Sequence, residues 1–198
     1  MLDAAFKDKV KADMKERLSA KRYTHTLGVA EAAVKLAYMY GIDIDKAETA
    51  ALLHDAEKED SLEHMQSLAD SMYGDSLAPE IQANGNLLHG YAAASYAAMA
   101  YDIFDKDILN AIAHHTTGAE SMSPLEKVIF LADYIEDNRD FPGVEKLRKA
   151  AEKSLNKGVL AGYDMTIQYL LQEGKTIFIG TVRNRNALLR EMKHKGGY

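Results

Sequence analysis

The chain has 198 residues, 47% hydrophobic and 27% charged with only three prolines, which is enough for one well-buried core and short for two ordinary domains. Thirty acidic against 24 basic side chains leave a net charge of −6, which disfavours a bulk nucleic-acid or anionic-membrane binder. The absence of cysteine excludes disulfides, thiolate metal sites and cysteine nucleophiles, leaving histidine and carboxylate as the strong metal ligands.

The first 18 residues mix acidic and basic side chains without an apolar leader core, and no run of about 18 apolar residues occurs, so a cytoplasmic protein with no membrane partner is expected. Phe6, Val10, Met14 and Leu18 recur every four residues and predict a first helix with charged outer faces. A second is predicted over 22–40, with Leu27, Ala30, Val34 and Ala37 in register, Gly41 just past its end and His25 in its first turns. Asp45 and Glu48 have capping-box spacing and open a third helix, KAETAALLHDAEK, which carries His54 and Asp55. A polar stretch then runs into a turn region at 74–79, after which NLLHGYAAASYAAMA predicts a closely packed, alanine-rich helix with His89 near its start.

Asp105 can cap the next helix, DILNAIAHH, which stops at Thr116-Thr117-Gly118. Ser123-Pro124-Leu125-Glu126 combines a capping box with proline at the first helical position, and Asp133 lies more than two turns further on. Residues 144–195 read as two or three helices broken near Gly158 and between Gly174 and Gly180. Within them TIFIGTV has strand-like composition but no partner strand, and is expected to be an extended loop. His64 and His194 stand in polar contexts and are placed on the surface, and Arg183, Arg185, Arg190, Lys193 and Lys195 read as a solvated helix face.

Four histidines, His25, His54, His89 and one of the adjacent His114 and His115, fall on apolar stretches expected to face the core. Any one of them alone reads as a core histidine bonded to backbone or water. The carboxylates change that reading. The polar pair His54-Asp55 follows the apolar Leu52-Leu53 directly, and Asp133 interrupts IFLADYIE. An unpartnered polar group buried at such a place costs roughly 2 to 7 kcal/mol, and a cation would remove that penalty. Imidazole and carboxylate donors suit borderline metals such as iron, manganese, zinc or cobalt, which bring water to nucleophilic strength near neutral pH.

The ordered set His25, His54-Asp55 and Asp133 resembles the signature of HD-domain phosphohydrolases. RYTHTLGVAEAA, LLHDAEK, LLHG, AIAHHTTG, LADYIEDNRDFPGVEKLR and RNALL together resemble the YqeK-type symmetrical diadenosine tetraphosphate hydrolases, over most of the chain. That resemblance implies an all-α, single-domain HD fold over 1–198, with an HD core at about 20–140 and C-terminal helices at about 144–195 completing a nucleotide pocket. It implies iron held by His25, His54, Asp55 and Asp133, with His89 and His115 serving substrate or a second metal. The family pattern has one histidine before Thr-Thr-Gly, which matches His115; adjacent helix positions point about 100° apart, and the part played by His114 stays open.

Lys58 would share a helix face with His54 and Asp55 and reach a polyphosphate, with a solvated lysine as the alternative. Arg139 could meet phosphate oxygens or serve the helix dipole. Catalytic work is thus expected of Asp55, Lys58, His89, His115 and Arg139. Substrate contacts are expected of these together with His25 and Asp133, and the resemblance adds Gly174, Lys175, Thr176 and Ile177, folded over the nucleotide. The implied reaction splits diadenosine tetraphosphate into two ADP by in-line attack of metal-activated water on an inner phosphorus. The alternatives are another HD-type hydrolase of deoxynucleoside monophosphates, cyclic dinucleotides or guanosine alarmones, and a nucleotide-sensing helical protein with a structural metal. A homodimer is the base-rate expectation.

Overall fold

Asp3 accepts the backbone N–H of Phe6 and opens α1 (Ala4–Arg17), whose Val10 and Met14 are completely buried on the predicted stripe. Ser19 caps α2 (Ala20–Tyr40), which ends at Gly41 in the left-handed region at φ 65°. Its buried line is Val29, Ala30, Ala33, Leu36 and Ala37, while Leu27 and Val34 are half-buried, because α2 packs against α3 and α8 as well as α1 and spreads its apolar stripe. The computed structural model describes residues 2–194 and, among these, contains eleven α-helices, one short 3₁₀ turn and no strand.

The third helix departs from its expected start. Asp43, not Asp45, caps α3 (Ile44–Leu53) by accepting the Lys46 N–H. Asp45 and Glu48 instead pair with Lys7, and Glu48 also with Lys11, fastening α1 to α3. The helix stops at Leu53, so His54 and Asp55 lie in the turn that follows it, and Lys58 does not share their helix face. The polar stretch after that turn contains α4 (Leu62–Tyr73), capped by Ser61 and seated through Met65 and Ala69. A short α5 (Pro79–Gln82) precedes α6 (Gly85–Tyr101), where Ala92, Ala93, Ala94 and Ala97 are fully buried and allow close packing.

Asp105 caps α7 (Lys106–His114) and Ser123 with Glu126 forms the full capping box of α8 (Pro124–Ile135), both as expected. Helices α9 (Val144–Lys153) and α10 (Leu155–Gln172) break at Ser154, not at Gly158. Gly158 lies inside α10 against the Leu131 side chain. The TIFIGTV segment is only half a loop, because Ile179 begins α11 (Ile179–His194). With no strand to pair with, its second half joins the helical register that buries Thr181, Asn184, Leu188 and Met192. Arg185 leaves the expected solvated face to pair with Asp164 at 2.8 Å, whereas Arg183, Arg190 and Lys193 are exposed. Lys195 lies outside the described residues.

Helices α2, α3, α6, α7 and α8 pack around a core of fully buried Leu52, Leu53, Leu88, Ile112, Ile129 and Leu131. The ends of α3 and α7, the start of α6 and the last turn of α8 bring their polar residues to one place beside α2. No helix among the described residues is long and apolar enough to cross a membrane.

Candidate metal centre

His25 projects from the second turn of α2 and His54 caps the end of α3. The Nδ1 atom of His54 lies 2.6 Å from the carbonyl of Ala51, that of His89 3.1 Å from Gly85, and that of His115 2.8 Å from Ile112. A carbonyl only accepts, so each Nδ1 donates and each ring turns its Nε2 inwards. His25 follows the same rule, with Nδ1 3.2 Å from the carboxylate of Glu136.

The inward nitrogens meet two carboxylates. Asp55 is 3% exposed; its Oδ1 lies 3.1 Å from His89 Nε2 and 3.5 Å from His115 Nε2, and its Oδ2 lies 3.4 Å from His54 Nε2 and 3.7 Å from His25 Nε2. Asp133 Oδ1 is 3.1 Å from His25 Nε2. Two ligand groups therefore share Asp55, one with His25 and His54 and the other with His89 and His115, each with ligand atoms within 4.8 Å of one another.

Several of these contacts call for a positive charge among them. His89 and His115 bring Nε2 atoms to 2.9 Å, a clash of lone pairs when both rings are neutral. The Nε2 atoms of His25 and His54 are buried without a hydrogen-bond partner, facing carboxylate oxygens. Buried polar atoms left in this way are costly, and a metal accepting all of the lone pairs resolves them together. The residues present fit a divalent metal.

Electrostatics point the same way. Burial pushes the Asp55 carboxyl up, but His54, His115 and His89 outweigh it and hold the group well below the usual carboxylate range. Burial acts likewise on Asp133, where His25 and Arg139 reverse it. His89 is pulled down to about 4 by burial, with Asp55 opposing and His115 adding to the fall, which keeps it in the neutral form that ligates metal.

Three cations border the centre. Arg22 Nη1 donates to Asp55 Oδ2 at 2.8 Å, and Arg139 donates to Asp133 Oδ1 at 2.6 Å and to the Asp133 carbonyl at 2.8 Å. Lys58 bonds Asn86 at 3.2 Å; burial lowers its pKa, and Arg22 and Arg139 add to this against Asp55. A glycine sets the spacing of the second histidine pair. A Cβ on Gly90 would lie 2.7 Å from the Ala113 carbonyl oxygen and 3.1 Å from His115 Nδ1, so only glycine lets α6 and α7 come this close.

A family model for the HD domain matches residues 22–138, more than half of the chain. The chain belongs to the HD-domain family. In this HD protein the matched span holds all four histidines of the centre together with Asp55 and Asp133. Among similar proteins, the symmetrical bis(5'-nucleosyl)-tetraphosphatase of Halalkalibacterium halodurans is 42% identical over 91% of this chain and 95% of its own length. The protein of the same name from Bacillus subtilis is 38% identical over 90% of this chain and 95% of its own length, so the chain belongs to that group as well. A crystal structure of a predicted HD superfamily hydrolase involved in NAD metabolism, from Clostridium acetobutylicum, superposes with a TM-score of 0.87 at 42% identity, covering 93% of this chain and 97% of the other.

The fold of the HD protein thus gathers His25, His54, Asp55, His89, His115 and Asp133 and borders them with Lys58 and Arg139. His114 turns away and pairs its Nδ1 with Glu126 at 2.5 Å. Gly174, Lys175 and Thr176 lie in the exposed link between α10 and α11, with Ile177 half-buried, and Lys175 bonds Tyr169 at 2.7 Å. His64 and His194 are exposed as expected. His64, Glu57 and Asp60 form a third polar group, closed by Arg17, whose guanidinium pairs with both carboxylates. Glu57 is raised to about 7 by burial. Sequence reasoning missed Arg22 and Glu136; each stands three residues from a predicted ligand on a helix or at its end, the spacing that places side chains on one face.

Proposed function

We infer that this chain hydrolyses dinucleoside tetraphosphates symmetrically, releasing two nucleoside diphosphates, two ADP from diadenosine tetraphosphate. The observation that carries the reading is the pair of ligand groups sharing Asp55 with three cations at their edge, in a chain 42% and 38% identical to proteins of that name. His25, His54, Asp55 and Asp133 would hold the metal, and His89 and His115, with Asp55 between them, a second ion or the substrate. When bound, the metal supplies a Lewis acid and lowers the pKa of water towards neutrality. Iron is proposed from the family resemblance, since a nitrogen and oxygen donor set accepts several borderline metals.

The chain's own residues supply charge and order. A tetraphosphate bridge is strongly anionic, and Arg22, Lys58 and Arg139 meet it with guanidinium and ammonium groups beside the carboxylates. Arg22 and Arg139 hold Asp55 and Asp133 through single guanidinium nitrogens, which keeps both cations beside the ligand groups. The 174–177 link is proposed to cover the nucleoside, supported by its exposed polar backbone beside α11, whose Asn184 donates to the carbonyl of Thr117 in the loop after His115. Residues 1–198 are proposed to act as one domain, as a cytoplasmic homodimer.

The test is to incubate the metal-loaded protein with diadenosine tetraphosphate and resolve the products. Two ADP is the expected result, and AMP with ATP overturns the reading.

A further inference from the structure

All four histidines of the centre fix their Nδ1 through an acceptor, yet for His54, His89 and His115 it is a backbone carbonyl, and for His25 it is the side chain of Glu136. That side chain is 2% exposed. Its Oε2 accepts the Asn138 backbone N–H at 2.7 Å and the Asn138 side-chain amide at 3.0 Å, leaving Oε1 for His25. The backbone around it is pinned in turn, because Arg148 donates to the carbonyls of Ile135, Glu136 and Arg139. On the facing helix, one turn beyond His25, Gly28 supplies the room, since a Cβ there would stand 2.5 Å from Glu136 Oε2.

We propose that Glu136 is a positioning residue for the metal, holding His25 in the tautomer and orientation that present its Nε2. The proposal rests on the reading of His25 as a ligand. A carboxylate accepts an N–H more strongly than a carbonyl does, and a histidine so bonded is the more basic ligand. Donor strength at His54, His89 and His115 is fixed by backbone, whereas at His25 it depends on one replaceable side chain.

Cobalt(II) is the probe, its affinity read by competition with a chromophoric chelator and its coordination by visible absorption, with thermal unfolding of the metal-free proteins alongside. Glu136→Gln keeps an acceptor oxygen and removes the charge. Gly28→Ala leaves the carboxylate chemistry intact and displaces it by crowding. Each variant is expected to bind cobalt about 10- to 100-fold more weakly, with an altered spectrum. Metal-free Gly28→Ala gains from alanine in the helix and loses from a Cβ 2.5 Å from Glu136 Oε2, so cobalt affinity and spectrum carry the test. A merely structural contact would instead lower melting and leave affinity and spectrum alone. Parental affinity and spectrum in both variants overturn the proposal, whereas a parent protein that takes up no cobalt overturns the metal reading beneath it.

Discussion

Asp133 and Arg139 touch each other, yet on the metal reading they do different work, and single substitutions separate them. Asp133 faces His25 Nε2, so Asp133→Ala removes a ligand and leaves that ring unopposed; metal content and turnover are both expected to collapse. Arg139→Ala leaves the ligand set whole and removes one cation from the phosphate path, so metal content should hold while kcat/KM falls on the order of 10²-fold. Elemental analysis paired with steady-state kinetics checks both, and full turnover in a metal-free Asp133→Ala protein would sink the mechanism. The expected ligands are marked in the sequence as polar residues on apolar stretches, as His54 and Asp55 are after Leu52-Leu53. Arg22 and Glu136 carried no such mark. Both sit in ordinary charged surroundings, and their partners are 33 and 111 residues away, so only the folded chain shows the pairing.

At the scale of elements, caps and close approaches decide how the ligands meet. Ser123, Pro124 and Glu126 could be read directly, because every partner of a capping box lies within one turn of chain. The same rule misled at Asp45 and Glu48, where lysines of α1, almost forty residues away, claim both carboxylates and Asp43 takes the cap. Helix α4 was hidden by polar residues on its exposed faces, since only Met65 and Ala69 are buried. The contact between α6 and α7 offers an element-scale prediction. A methyl group on Gly90 would strike the backbone oxygens of Ala113 and Ile112, at 2.7 and 3.0 Å, which cannot swing aside as a side chain can. Gly90→Ala should therefore part the two helices, cost about 1 to 3 kcal/mol in chemical denaturation and lower activity by pulling His89 from His115. Parental stability and activity would show that the His89–His115 spacing does not depend on this approach.

At the scale of the whole molecule, the centre joins α2, α6, α7, α8 and the turn after α3, while the apolar core beneath them is complete without it. Phe130, Ile129, Leu131, Leu52 and Leu88 are all fully buried, so the metal-free chain should remain folded, unlike a small domain whose structural metal replaces its core. A bound ion still stabilises the native state by mass action, by about 2.7 kcal/mol when free metal stands at 100 times its Kd. For a chain of this length that gain corresponds to a rise in Tm of roughly 5 to 10 °C. Calorimetry before and after chelation should therefore show one cooperative transition in each case, displaced downwards by about that interval and restored by adding metal back. Loss of the transition on chelation would mean that the ion is part of the core rather than a guest of the finished fold, and an unchanged Tm would mean that these histidines and carboxylates hold no ion at all.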